Sequence, residues 1–193
     1  MAVNLKKGGR VSLTKDAGFV KGMIGLGWDT NRYQGSADFD LDLVIFECNA
    51  QKRCINERYM VFYNNPALAD PEGAIVHSGD NRTGAGDGDD ETAKIDLSKI
   101  SPDVQSIVIA VTIYEAKANN QNFGLVDNAF VRLVDESGKE VLRYDLGEDF
   151  SIQTSVVFAE IYRNGDDWKF RAVGEGYEKE LVDLCREYGI DVE

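Results

Sequence analysis

Gln105-Ser106-Ile107-Val108-Ile109-Ala110-Val111-Thr112-Ile113-Tyr114-Glu115 is the stretch that decides the fold. It is dense in isoleucine, valine and threonine, whose β-branched side chains suit a pleated strand. Short apolar runs of the same kind lie on both sides of it. Upstream, Arg10–Thr14 alternates, with Val11 and Leu13 on one face, and Met23–Trp28 reads as a strand in which Gly25 and Gly27 signal a twist or close packing. Leu41–Phe46 is apolar on both faces, as a central strand should be. Tyr59–Tyr63 and Ala74–His77 follow, split by the turn residues Asn64-Asn65-Pro66, and then Thr92–Leu97. Downstream come Ala129–Val134, Val141–Leu146, Val156–Tyr162 and Trp168–Val173. Asn164-Gly165 marks a hairpin between the last two, in a loop that Asp166 and Asp167 lengthen. The one helical pattern is terminal: Leu181, Val182, Leu184, Cys185 and Tyr188 form an apolar stripe, and Gly189 stops it. Many short strands with turn signals between them predict a mainly β fold, an antiparallel β-sandwich with a short C-terminal helix. With no linker or repeat in view, residues 1–193 read as a single domain.

Between these strands runs Gly79-Asp80-Asn81-Arg82-Thr83-Gly84-Ala85-Gly86-Asp87-Gly88-Asp89-Asp90-Glu91. Five carboxylates face one arginine here, and glycines let the backbone turn sharply. A loop that converges carboxylates and backbone carbonyls suits calcium, which takes about 6–8 oxygen ligands at about 2.3–2.6 Å. From Asp80 to Glu91 the loop has EF-hand length and ends on Glu, but Arg82 and Gly84 stand where that motif needs Asp or Asn. No Gly-Lys-Ser/Thr follows, so it is not a phosphate loop, and the third glycine of a dinucleotide fingerprint is missing.

A loop alone rarely completes a calcium sphere. Asp40 and Asp42 share one strand face, a costly arrangement without a cation or donors. Asp29 ends the strand of Gly25-Leu26-Gly27-Trp28, and Trp28 is expected to pack beside the metal rim. Glu115 follows the core-facing row Ile107, Ile109, Val111 and Ile113, where it can reach a rim-bound ion. The candidate metal set is therefore Asp29, Asp40, Asp42, Asp80, Asn81, Gly84, Gly86, Asp87, Asp89, Asp90, Glu91 and Glu115, with two Ca2+ ions expected. Each has a plainer reading: the loop as a solvated acidic turn, Asp29 as a turn cap, Glu115 as the partner of a Lys or Arg. Acids placed on the rim loops of a sandwich follow the logic of C2-type calcium sites, as a fold-level analogy.

Bulk composition narrows the function. A net charge of −13 and a pI near 4.5 argue against non-specific nucleic-acid binding and against docking on anionic lipid without a bridging cation. There is no long apolar span, and the N-terminus, Met1-Ala2-Val3-Asn4-Leu5-Lys6-Lys7, lacks the apolar core of a secretory signal. Cys48, Cys54 and Cys185 are a sparse, odd set that fits a reducing cytoplasm. With a single histidine, His77, a structural zinc site is not expected, and His77 reads as the end of a strand.

The chain resembles the TerD family of bacterial tellurite-resistance and general stress proteins. The marks are Val11-Ser12-Leu13-Thr14-Lys15, Gly25-Leu26-Gly27-Trp28-Asp29, Phe39-Asp40-Leu41-Asp42, the acidic loop, Val111-Thr112-Ile113-Tyr114, Gln121-Asn122-Phe123-Gly124, Asn128-Ala129-Phe130, Trp168-Lys169-Phe170 and Ala172-Val173-Gly174. The resemblance implies a cytoplasmic calcium-binding β-sandwich. It implies partners among other tellurite-resistance cluster proteins, including a membrane protein, with a peripheral place at the inner face of the membrane. Leu43-Val44 stands where many relatives carry Ala-Ser. The expected role is a calcium-responsive binding or scaffold module and not an enzyme. The alternative is a metal-dependent hydrolase using the carboxylate cluster, for which no general base is evident. Thiol reduction of tellurite ranks below both, because Cys48 and Cys54 form no C-x-x-C motif and an acidic surface repels an oxyanion.

Overall fold

The computed structural model describes residues 2–30, 39–79, 88–147, 150 and 152–191. In chain order the strands are β1 (Val3–Leu5), β2 (Arg10–Ser12), β3 (Lys21–Thr30), β4 (Leu41–Cys48), β5 (Met60–Val61), β6 (Ile75–His77), β7 (Glu91–Asp96), β8 (Ser106–Ile113), β9 (Val126–Asp135), β10 (Glu140–Asp145), β11 (Ser155–Asn164) and β12 (Asp167–Tyr177). Helix α1 (Ala116–Asn119) follows β8, and α2 (Leu181–Glu187) closes the chain. The first sheet runs β1-β10-β9-β3-β7-β6 and the second β2-β12-β11-β8-β4-β5. Every pairing is antiparallel except β1 with β10, where Val3 lies beside Leu142.

Alternation along the strands builds the core. Ile24, Leu26, Val131, Leu133 and Leu142 of the first sheet meet Leu41, Leu43, Ile45, Ile109, Val111 and Phe158 of the second, all with no exposed surface. The second sheet is also covered on its outer face. Val44, Phe46, Val108, Ala110 and Val157 pack under Leu184, Cys185 and Ile190 of the α2 region. That double burial is why β4 and β8 read as continuous apolar runs, where a half-exposed strand would alternate.

Two local expectations change. The β11–β12 turn is tight: Asn164 pairs with Asp167, leaving only Gly165 and Asp166 between them, with Gly165 at φ 63°. Glycine at the first central position with positive φ is the II′ hairpin arrangement. Asp167 is thereby drawn in, and its carboxylate accepts hydrogen bonds from Ser12 and Thr14. The second change concerns β8, which stops at Ile113. The Tyr114 N–H donates to the Asp40 carbonyl (2.9 Å), and Glu115 enters α1 at φ 48°. The core-facing stripe does not extend to Glu115, which is exposed.

Candidate functional site

The register gathers one end of the sandwich. The end of β3 pairs with the start of β7 (Leu26 with Glu91) and of β9 (Thr30 with Val126). The start of β4 pairs with the end of β8 (Leu41 with Ile113). The Leu43 N–H of β4 donates to the Glu91 carboxylate of β7 (2.6 Å), so the two sheets meet at this end through one buried acid. His77 stands over the same carboxylate, its Nε2 3.7 Å from Glu91 Oε2. The His77 Nδ1 accepts from the Gly79 N–H (3.0 Å). His77 does end β6, as the sequence suggested, but it is also buried inside this junction.

Gly25 and Gly27 of β3 explain how the segment before β7 lies down on the first sheet. A Cβ on Gly25 would collide with the Asp89 carboxylate, and one on Gly27 with the Phe130 ring and the Gly88 carbonyl. Asp89 is then gripped by Arg132 of β9, opposite Gly25, through two bonds of 2.8 and 3.0 Å. Arg132 also reaches Glu140 (3.0 Å). One residue on, Asp90 donates its N–H to Leu26 O (2.7 Å) and accepts the Trp28 N–H on its carboxylate (3.0 Å). Burial pushes the Asp90 carboxyl above its usual range, the Trp28 bond opposes this, and the nearby charges of Asp29, Asp89 and Glu91 add to the rise.

Asp29 accepts a 2.6 Å bond from the Asn128 amide and lies directly across the ladder from Asp127. Asp127 carries no sequence signal beyond its type; only the β3–β9 register makes it a neighbour of Asp29. Asp42 belongs to the other sheet, and Asp40 lies just before its strand β4. Asp42 shares the outer face with Val44 and Phe46, opposite to Leu41 and Leu43. Asp42, Thr112 and Ser155 form one cross-strand row, all buried. The hydroxyls of Thr112 and Ser155 have no hydrogen-bond partner among the described residues, and the sequence reading passed over both. Trp28 is buried in the core beside this end, and its Nε1 also has no acceptor among the described residues.

Of the expected set, Asp29, Asp40, Asp42, Asp89, Asp90 and Glu91 all lie at this end of the sandwich. Asp80, Asn81, Gly84, Gly86 and Asp87 lie outside the described residues. Among the described residues, no three His, Cys, Asp or Glu side chains are close enough to hold a metal ion. The donors at this rim are oxygen atoms, and two carboxylates oppose each other across one ladder. Like charges so placed are destabilising, and a hard cation suits the donor chemistry.

Fold and rim define a β-sandwich with carboxylates crowded at one end. The TerD domain family model matches residues 1–188, and the chain belongs to that family. It is 47% identical to general stress protein 16U of Bacillus subtilis (strain 168), over all of both chains. It is also 47% identical to tellurium resistance protein TerD of Serratia marcescens, over 99% of each. Among solved structures, a homologue of telluride resistance protein (TerD) from Streptomyces coelicolor A3(2) superposes with a TM-score of 0.69 at 22% identity, covering 89% of this chain and 98% of that one. That likeness carries the fold. The family is one of tellurium resistance and general stress response. Among the described residues, no helix is long and apolar enough to cross a membrane.

Proposed function

We propose that this chain is a calcium-binding stress-response protein whose acidic rim acts as a calcium-responsive binding module, and that it is not an enzyme. The observation that carries the reading is the convergence of like charges: Asp29 directly opposite Asp127, with Asp90 held above its ordinary carboxyl range partly by Asp29, Asp89 and Glu91. The residues that would hold calcium are Asp29, Asp90 and Asp127 on the first sheet and Asp40 and Asp42 on the second. Asp80, Asn81, Gly84, Gly86 and Asp87 complete the oxygen set. Bound calcium would supply positive charge beyond the single guanidinium of Arg132 that Asp89 already engages. Arg132 would hold the acidic segment down through Asp89, and Glu91 would tie the two sheets, so both acids serve as anchors beside the site. With the rim neutralised, it would be presented to a partner. In this reading the partner is another protein of tellurite resistance, one of them in the membrane, met from the cytoplasmic side.

Calorimetry on chelator-stripped protein tests the reading. Calcium should bind with measurable heat at two sites, and magnesium more weakly, because magnesium demands a rigid octahedral cage. Asp29→Asn combined with Asp127→Asn should weaken calcium binding while leaving the fold intact. No calcium heat, or magnesium bound as tightly as calcium, would falsify it.

A further inference from the structure

Cys48, Cys54 and Cys185 are free, buried, and gathered in the apolar cluster beneath α2. Two of them face each other. Cys48 ends β4 and pairs with Cys54 in an isolated antiparallel bridge. The hydrogen bonds flank this pair: the Asn49 N–H donates to Arg53 O (2.8 Å) and the Ile55 N–H to Glu47 O (3.1 Å). That is the non-hydrogen-bonded register, in which opposed Cα atoms approach to about 4.5 Å and side chains come closest. Disulfides span Cα separations of about 4.4–6.8 Å. The sulfurs also lean the same way. The Cys48 thiol points to Phe46 O (3.7 Å) and the Cys54 thiol to Asn56 O (3.4 Å), both away from the hairpin tip.

We propose that Cys48 and Cys54 form an oxidative cross-linking site, at which hydrogen peroxide converts the facing thiols into an intrachain disulfide. In the first step a Cys54 thiolate attacks one peroxide oxygen, the O–O bond breaks, and hydroxide leaves to become water. Cys54 is then a sulfenic acid. In the second step the Cys48 sulfur attacks the Cys54 sulfur, the S–O bond breaks, and a second water leaves with the Cys48 proton. Two thiols are oxidised and one peroxide is reduced to two waters.

Burial sets the rate. It pushes the Cys54 thiol up to about 12 and raises Cys48 as well, so the closed hairpin holds both sulfurs protonated and inert. Reaction therefore follows opening of the tip at residues 50–53, which are exposed and include Lys52 at φ 61°. The same hairpin seats α2: the Cys54 N–H donates to Tyr188 O (2.8 Å) and the Arg53 guanidinium to Glu187 O (2.9 Å). The disulfide fastens that seat. Cys185 lies against Met60 Sδ (3.6 Å), outside the bridge, and serves as the internal control.

The experiment is intact-mass and peptide-mapping analysis of the full-length native protein after hydrogen peroxide. The expected result is loss of two hydrogen atoms, a Cys48–Cys54 linked peptide, and a free Cys185. Cys185→Ala should keep the link, and Cys48→Ala and Cys54→Ala should each abolish it. Mapping of the wild-type protein decides the matter even if a variant fails to fold. A link through Cys185, sulfinic acid at Cys48 or Cys54 without a link, or three thiols still free after peroxide yet titratable in urea would each overturn the proposal.

Discussion

Glu47 lies on the same strand face of β4 as Leu41, Leu43 and Ile45, with no exposed surface, and neither carboxyl oxygen has a hydrogen-bond partner among the described residues. Burial, and then the charges of Asp70 and Glu72, push its carboxyl from 4.5 up to about 9. Below pH 4.5 both folded and unfolded chains hold this proton, and the group does not bias folding. Between 4.5 and about 9 the unfolded chain has released it and the folded chain keeps it, so stability falls as pH rises, by about 1.4 kcal/mol per pH unit. From pH 5 to pH 8 this one residue withdraws up to about 4 kcal/mol. Glu47→Gln keeps the shape and removes the titration. Urea unfolding of both proteins at pH 5 and pH 8, in chelator so that rim cations do not contribute, isolates the effect because all other groups cancel in the double difference. The variant should match the wild type within about 1 kcal/mol at pH 5 and exceed it by several kcal/mol at pH 8. If the advantage of the variant changes by less than about 1 kcal/mol between the two pH values, Glu47 is not a buried neutral acid.

Asp89→Asn should cost about 2 kcal/mol in chelator, since it removes two charge-assisted bonds from Arg132 within a largely buried pair; an unchanged melting temperature would mean the pair does not form in solution. Gly25→Ala should lower stability and weaken calcium binding together, because the new methyl group displaces the Asp89 carboxylate; calorimetry and thermal melts showing neither effect would contradict the close approach. Calcium should change the tryptophan emission through Trp28, whose backbone N–H is held by the Asp90 carboxylate. Trp168→Phe should keep that response, because Trp168 lies near the start of β12 at the opposite end of the sandwich; if Trp28→Phe keeps it, the placement beside the rim is wrong.

Much of the molecule was legible in one dimension. Strand and helix periods are local properties, so the β-branched run around Ile109, the apolar stripe of α2 and the Gly189 stop announce themselves within a few residues. Residue chemistry is local too: a loop of acids and glycines shows its oxygen donors without its coordinates. Asp29, Asp40, Asp42 and the 79–91 loop could be named as candidate donors on that basis. Pairing was different. That Asp29 faces Asp127, that Arg132 grips Asp89, and that Cys48 faces Cys54 all follow from strand register, which is set by hydrogen bonds between distant or turn-linked segments. Burial of Glu47 and His77 likewise depends on what the opposite sheet and the loops bring over them, and residue type gives no warning of it. Glu115 shows the same limit from the other side. Its spacing continued a strand stripe, but the backbone turns at Tyr114 onto the Asp40 carbonyl, a contact between segments more than seventy residues apart. The sequence determined which groups this protein has to work with and the local shapes that carry them; tertiary structure decided which of those groups meet, because the free energy of meeting resides in contacts that no local window contains.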